Sequence, residues 1–392
     1  MNLRLGLDWH LRARTTRMQC FMDEPRGILY LLARSFSRIL LILLTLSSGL
    51  GLAQEHSPKR KVIIDQDAAG PGGTDQQSML LLIQSPQTEV LGITVVTGDG
   101  WLKDEVAHTL RMLEIIGRSD IPVVAGAEYP LVRRKEETEL WEQQYGSFAW
   151  LGAWTPRLYH PPDQLGEMPE GKPTTKPSEE DAAHFLVRMV RKYPQEITIY
   201  EGGPMTNLSL AMAIDPEFPS LAKELVFMGG SLSPKTDDPE FVNTPRREFN
   251  LWFDPEAAHN VLLAPWKKIV CTTVDISVKT RLTQNLIEQI KTADSPAAKY
   301  VGTYARLQGQ YNYLWDELSA LAWLDPSLIT GKDARYLDVD LNRGPGFGDT
   351  LSWAQQDAPK IHGASVEIQV DLDTQKFYKE LVDLLSAPVP RP

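Results

Sequence analysis

From residue 60 onward, short apolar runs alternate with longer stretches of helical spacing. Val62-Ile63-Ile64 is apolar at consecutive positions, as in a strand covered on both faces, and it ends in Asp65-Gln66-Asp67. The glycine-rich stretch Gly70-Pro71-Gly72-Gly73 separates it from an apolar helix through Met79–Ile83. Val90–Val96 reads as the next strand. Over Asp104–Ile116 the residues Val106, Leu110, Leu113 and Ile116 recur on one helical face. Pro122-Val123-Val124 is a third, short strand. Pro177-Ser178-Glu179-Glu180-Asp181 opens a helix with the chemistry of a capping box. Ile197–Tyr200 is then a strand, Asn207–Ala213 a helix and Leu225–Met228 a strand. This alternation predicts the α/β class: a single domain with an open, mostly parallel sheet and helices on both faces. No internal repeat is visible. Residues 134–177 break the pattern. They hold Trp141, Tyr145, Phe148, Trp150, Trp154 and Tyr159 with no clear period, and are expected to form a long loop insertion over one end of the sheet.

Composition narrows the classes. The chain has 392 residues, 42% hydrophobic and 23% charged, which excludes disordered, collagenous and coiled-coil proteins. A formal net charge of −11 offers no electrostatic footprint for nucleic acid or anionic lipid. Cys20 and Cys271 are the only cysteines, so neither a disulfide framework nor a cysteine zinc site can be built. A metal site must use Asp, Glu, His or backbone oxygens. Residues 1–53 carry seven Arg against three acids; Ile39–Leu46 is then Ile and Leu apart from Thr45, and Ser47, Ser48, Gly49, Gly51 and Ala53 follow. Basic, apolar and small residues in that order predict a signal peptide over 1–53, cleaved after Gly51-Leu52-Ala53. Met18 or Met22 is an alternative start. The mature domain, 54–392, is expected to be secreted or periplasmic, with no stable membrane association after cleavage; an uncleaved anchor is the alternative.

Chemistry collects at strand ends, where open α/β sheets bind ligands. Alternation points Asp65 and Asp67 to one side, and Asp75 lies across the glycine-rich loop. Three carboxylates around one loop repel unless a cation or protons intervene, and an all-oxygen set suits Ca²⁺ or Mg²⁺. An ordinary Asp/Gly turn is the bland alternative. Gly202-Gly203-Pro204-Met205-Thr206-Asn207 forms a second turn between strand and helix. In Glu248-Phe249-Asn250, read as extended, Glu and Asn share a face suited to vicinal hydroxyls. Trp315-Asp316-Glu317 heads an apolar helix, where Asp316 is a ligand or simply a cap.

Together these segments resemble the inosine-uridine-preferring nucleoside hydrolase family. Its opening D-x-D-P-G-x-D-D corresponds to Asp65-Gln66-Asp67 through Thr74-Asp75. The similarity continues through Ser85-Pro86, Leu91-Gly92-Ile93-Thr94, Ile121-Pro122-Val123-Val124-Ala125-Gly126-Ala127, Gly203-Pro204-Met205-Thr206-Asn207-Leu208, Met228-Gly229-Gly230, Glu248-Phe249-Asn250 and Asp254-Pro255-Glu256-Ala257-Ala258. The resemblance implies Ca²⁺-dependent hydrolysis of the N-glycosidic bond of a small-molecule ribonucleoside. It implies that Asp67 is both a metal ligand and the base for the attacking water. Asp75, the Thr206 carbonyl and Asp316 would complete the metal site. Asp65, Thr74, Asp99, Asn243, Glu248, Asn250 and Trp315 would line the substrate pocket, and a homo-oligomer is expected.

Three departures stand out. Three extra residues lie between Asp67 and Asp75. The paired Asp-Asp becomes Thr74-Asp75, or Asp75-Gln76 in a register shifted by one. Asp99 stands where the family has Asn. Pyrimidine-accepting members place His where this chain has Trp315. An indole has no usable acidity near neutrality but can stack on a purine, with Trp150 or Trp154 closing the other side. A purine preference is therefore expected. The rival readings are an exported binding protein without turnover, motivated by Thr74 and Asp99, and a haloacid dehalogenase-type phosphohydrolase, for which the Glu-Phe-Asn segment has no role.

Overall fold

The structure, a computed structural model, describes residues 58–156, 158–360 and 363–391. The signal peptide and cleavage point expected over 1–53 lie outside the described residues. Seven parallel strands build most of one sheet: β1 (Arg60–Gln66), β2 (Thr88–Val95), β3 (Val123–Ala125), β4 (Ile197–Glu201), β5 (Glu224–Met228), β6 (Ile269–Thr272) and, after β7 (Ile329–Val339) and β8 (Thr350–Ala354), β9 (Val366–Leu372). The order is β3-β2-β1-β4-β5-β6-β9-β7-β8, with β7 and β8 antiparallel at the far edge. The expected open, mostly parallel sheet is thus observed.

Alternation along β1 divides the core. Val62 and Ile64 pack with the helices Thr74–Gln84, Leu102–Ile116, Trp315–Leu324 and Thr374–Ser386. Ile63 packs on the other side with the helices Ala182–Lys192, Thr206–Ile214 and Pro255–Leu262. Each fully buried Leu or Ile in these layers contributes roughly 1.5–3 kcal/mol. Strand order reverses between β1 and β4, so the crevice at their carboxyl ends is the switch point where such sheets bind ligands. Cys271, on β6, is fully buried. No helix among the described residues is long and apolar enough to cross a membrane.

Residues 134–177, expected as an unbroken loop, contain a helix, Lys135–Tyr145, and a short 3₁₀ turn, Gly152–Trp154. The helix escaped the periodicity because it has no apolar stripe: Thr138 is its only buried residue. Strong helix formers and a Lys135–Glu139 pair sustain it instead. Beyond it, the insertion is latched to the helix Leu102–Ile116. The Arg111 Nε donates to the Glu170 carbonyl at 2.9 Å, the Gly166 amide donates to Asp104 at 2.8 Å, and His108 meets Glu170 in the interior.

Asp254 ties three segments together on one side of the sheet. Fully buried, it accepts from the Leu131 amide (2.8 Å), the Thr206 hydroxyl (2.7 Å) and, as a helix cap, the Ala257 amide (3.1 Å). Asp254→Ala strands all three donors and should cost about 2–4 kcal/mol in urea unfolding. A loss under ~0.5 kcal/mol would show that these bonds are replaced by water.

Candidate active site

The end of β1 delivers Asp67 into the crevice, and glycines on both sides grip it. The Asp99 amide donates to Asp67 Oδ2 at 3.0 Å. A Cβ on Gly98 would lie 2.1 Å from that oxygen, and one on Gly203 would lie 3.0 Å from Oδ1. Neither position has room for a side chain. The insertion closes behind Gly98: the Ala153 amide donates to the Gly98 carbonyl at 2.9 Å, and Gly152, at φ +55°, leaves no space for a Cβ against the same oxygen.

Asp75 and Asp316 enter from the first turns of two facing helices, Thr74–Gln84 and Trp315–Leu324, and their carboxyls face each other. Asp316 Oδ2 also accepts from Gln66 Nε2 at 2.9 Å, while its buried Oδ1 has no partner. Gln76 turns the other way, its side-chain oxygen accepting from the Gly72 amide and the Tyr300 hydroxyl. Asp75 is therefore the member of this segment that meets Asp316. Burial, reinforced by neighbouring carboxylates, pushes Asp67 and Asp75 well above the ordinary carboxylate range. Burial raises Asp316 to about 7 and Asp99 to about 6.

Thr206 opens its helix at the same end of the sheet, with its hydroxyl committed to Asp254. Among the described residues no three His, Cys, Asp or Glu side chains already form an ion cage. The charges of Asp67 and Asp316 both raise Asp75, which brings the three carboxyls of the expected site into one neighbourhood. The donor chemistry fits a hard cation: every candidate ligand is an oxygen, and Asp316 Oδ1 is buried and unsatisfied.

The residues expected to hold substrate divide into groups. In Glu248-Phe249-Asn250 only Glu248 is extended as expected, and Phe249 and Asn250 turn into a helix. Glu248 caps the short helix Phe249–Phe253, its carboxylate accepting from the amides of Asn250 (2.7 Å), Leu251 (3.1 Å) and Gly230 (2.9 Å). A carboxylate able to collect three amides draws the following residues into a turn. Asn250 sits inside that turn, its side-chain nitrogen donating to the carbonyls of Gly202 (2.8 Å) and Met228 (3.2 Å). Asp65 is fully buried behind Asp67, bonded to Asn207 at 2.8 Å and paired across the strands with Glu201. Asn243 is exposed at the end of the short helix Pro239–Asn243. Trp315 is half-buried, edge-on to Tyr313 and Phe241 with centroids 4.8 and 5.8 Å away. Trp150 donates its indole N–H to Asp99, whereas Trp154 is buried against Phe253 and cannot face a ligand.

Other residues of the crevice went unread in the sequence. Gln66 holds Asp316. Asn207 ties Asp65 to the Ala127 amide (2.8 Å) and the Val95 carbonyl (3.2 Å). Glu105 and Glu201, both fully buried, face the same carboxylates. Asn207 had a signal, a polar residue opening an apolar helix after Gly-Gly-Pro. Glu105 resembled an ordinary first-turn acid.

The profile of the family described as inosine-uridine preferring nucleoside hydrolase matches residues 62–379. Uridine nucleosidase 1 of Arabidopsis thaliana is 31% identical, over 69% of this chain and 76% of the relative. A solved plant nucleoside hydrolase is 25% identical, with a TM-score of 0.66, covering 84% of this chain and all of the other. A solved inosine-guanosine nucleoside hydrolase, 21% identical with a TM-score of 0.69 over 84% of this chain and 99% of the other, shares the fold.

The raised carboxyls carry a stability consequence. Between the ordinary Asp value of 3.8 and about 7, the value reached by Asp65 and Asp316, the folded chain binds more protons than the unfolded one. Stability of the cation-free protein must therefore fall as pH rises through that window. Thermal unfolding in chelator should show Tm decreasing from about pH 5 to about pH 7.5, and saturating Ca²⁺ should raise Tm more at the higher pH. An equal Ca²⁺ effect at both would mean that the cation binds away from these carboxyls.

Proposed function

The chain belongs to the inosine-uridine preferring nucleoside hydrolase family, and on that premise we propose that it is a Ca²⁺-dependent, purine-preferring enzyme whose general base is Asp67. It is an N-ribohydrolase acting on ribonucleosides. Family membership removes the phosphohydrolase alternative. The observation that carries the finer reading is the placement of Asp67: gripped between Gly98, Asp99 and Gly203 at the switch point, beside Asp75 and Asp316.

The reaction breaks the C1′–N bond, whose electron pair leaves with the base, while a water oxygen joins C1′. Positive charge grows on the sugar before the new bond is complete, as in glycoside hydrolysis. Asp67 takes the water's proton, a role suited to a carboxyl raised by burial. Asp67, Asp75, Asp316 and the Thr206 carbonyl would hold Ca²⁺, which when bound lowers the pKa of water and compensates the carboxylates. Glu248 fixes the Gly230 turn and the Asn250 backbone. With its nitrogen committed to two carbonyls, Asn250 keeps its amide oxygen for a ribose hydroxyl. Fixed donors and acceptors of this kind convert binding energy into position.

Trp315 supports the purine preference. It cannot donate a proton to a leaving base, but an aromatic face against a purine adds roughly 0.5–1.5 kcal/mol. Trp150, whose indole is held by Asp99, is the aromatic of the insertion that would close the other side. The uridine nucleosidase among the relatives favours a second reading, a pyrimidine base. We further propose export of the mature chain, on the basic, apolar and small-residue order of residues 1–53.

Steady-state assays separate these readings. Inosine, guanosine or adenosine should turn over faster than uridine or cytidine, and Trp315→Ala should lower purine turnover more than Ca²⁺ affinity. Equal rates on inosine and uridine would remove the stacking role. Asp67→Asn should reduce turnover by at least ~10²-fold. Retained activity in that variant would place the base elsewhere.

A further inference from the structure

Departure of a nucleobase needs a proton for the base as well as a group to activate the water, and Trp315 cannot supply that proton. The wall beside Trp315 carries an acid that can. The short helix Pro239–Asn243 packs against the indole: Phe241 meets it edge-on, with centroids 5.8 Å apart, in one cluster with Met228, Val274 and Tyr313. The two segments are also pinned by polar contacts. The Thr236 and Tyr313 hydroxyls bond at 2.8 Å, and the Tyr311 hydroxyl donates to the Asp237 carbonyl at 3.1 Å. Glu240, one residue before Phe241, projects about 100° away from it around the helix. The acids that act on its carboxyl are Asp238, Glu248 and Asp99, and the last two belong to the crevice.

The Glu240 carboxyl is half-buried and has no hydrogen bond or ion pair among the described residues. The groups around it are committed elsewhere. Asp238 caps the helix, accepting from the Glu240 amide at 3.0 Å. Glu248 collects three amides, and Asp99 takes the Trp150 indole. The Arg247 guanidinium lies over the rings of Trp141 and Phe148, 4.9 and 4.6 Å from their centroids, with its Nε 3.5 Å from Asp349. Burial, with the charges of Asp238, Glu248 and Asp99, pushes Glu240 up to about 7 against the pull of Arg247. An uncommitted carboxyl that keeps its proton near neutrality and still reaches water suits a general acid. We propose that Glu240 is the general acid that protonates the leaving base. As the C1′–N bond breaks, its electron pair moves into the base. The Glu240 O–H gives its proton to a ring nitrogen or carbonyl oxygen of the base and becomes a carboxylate. The water oxygen bonds to C1′, and its proton goes to Asp67. Glu240 then takes a proton from solvent and Asp67 releases one, which restores both groups. This rests on the N-ribohydrolase reading above and not on the choice of base.

The test sets two leaving groups side by side. A nucleobase must be protonated to depart, whereas p-nitrophenolate departs as a stable anion. Glu240→Gln keeps the shape and removes the acid. It should lower kcat/KM for the better of inosine and uridine by at least ~10²-fold. Its kcat/KM for p-nitrophenyl β-D-ribofuranoside should be unchanged, and that activity also shows that the variant folds. In the wild type, kcat/KM for the nucleoside should fall as pH rises through about 7, and Glu240→Gln should lack that fall. Equal losses on the two substrates, a nucleoside rate retained by the variant, or an alkaline fall that persists in it would each overturn the assignment. The underlying reading fails differently: a wild type that cleaves neither inosine nor uridine removes the ribohydrolase reading and this assignment together, before any variant is made.

Discussion

Asp65, Asp67, Asp75, Glu105, Glu201 and Asp316 are buried together at the carboxyl end of one parallel sheet. Carboxylates cannot share such a space with their charges intact; protons or a cation must balance them. The local architecture follows from that demand. Asp65 and Glu201 lie opposite each other on β1 and β4 and, in full burial, favour their uncharged forms. Asp75 and Asp316 do the same at the helix starts. Asp67 is held by an amide, with glycine backbone pressed against it from both sides. Parallel strands ending at a switch point make this crowding attainable, because β1, β2 and β4 all release their loops into the same crevice.

The fold was legible because its signals are local. Consecutive apolar residues in Val62-Ile63-Ile64 and helical spacing in Leu102–Ile116 each specify an element without reference to the rest of the chain. The D-x-D at a strand end was legible for the same reason. Glu105, Glu201 and Glu317 were not, since an acid near a strand end or in a helical first turn is normally solvated. Only the packing of other elements turned these three inward. Glu248 misled in the opposite sense: it is extended as read, but its capture of three amides turns Phe249 and Asn250 into a helix. The charged helix Lys135–Tyr145 carries no period to read.

The departures from the family pattern look less like losses once they are placed in the fold. Asp99 engages the Trp150 indole, so the residue that replaces an amide also anchors the insertion at the crevice. Gly152 presses the same insertion onto Gly98, behind Asp67. Thr74 is backed by Glu317. Each change at the crevice is accompanied by a partner from an element that the local pattern alone does not connect to it.

The central claim is that these buried carboxyls exchange protons for a cation. A crystal structure grown in Ca²⁺ tests it most directly. The expected result is one ion with six to eight oxygens at about 2.4 Å, supplied by Asp67, Asp75, Asp316, the Thr206 carbonyl and waters. An ion bound to other residues, or no ion between Asp75 and Asp316 at saturating Ca²⁺, would contradict it.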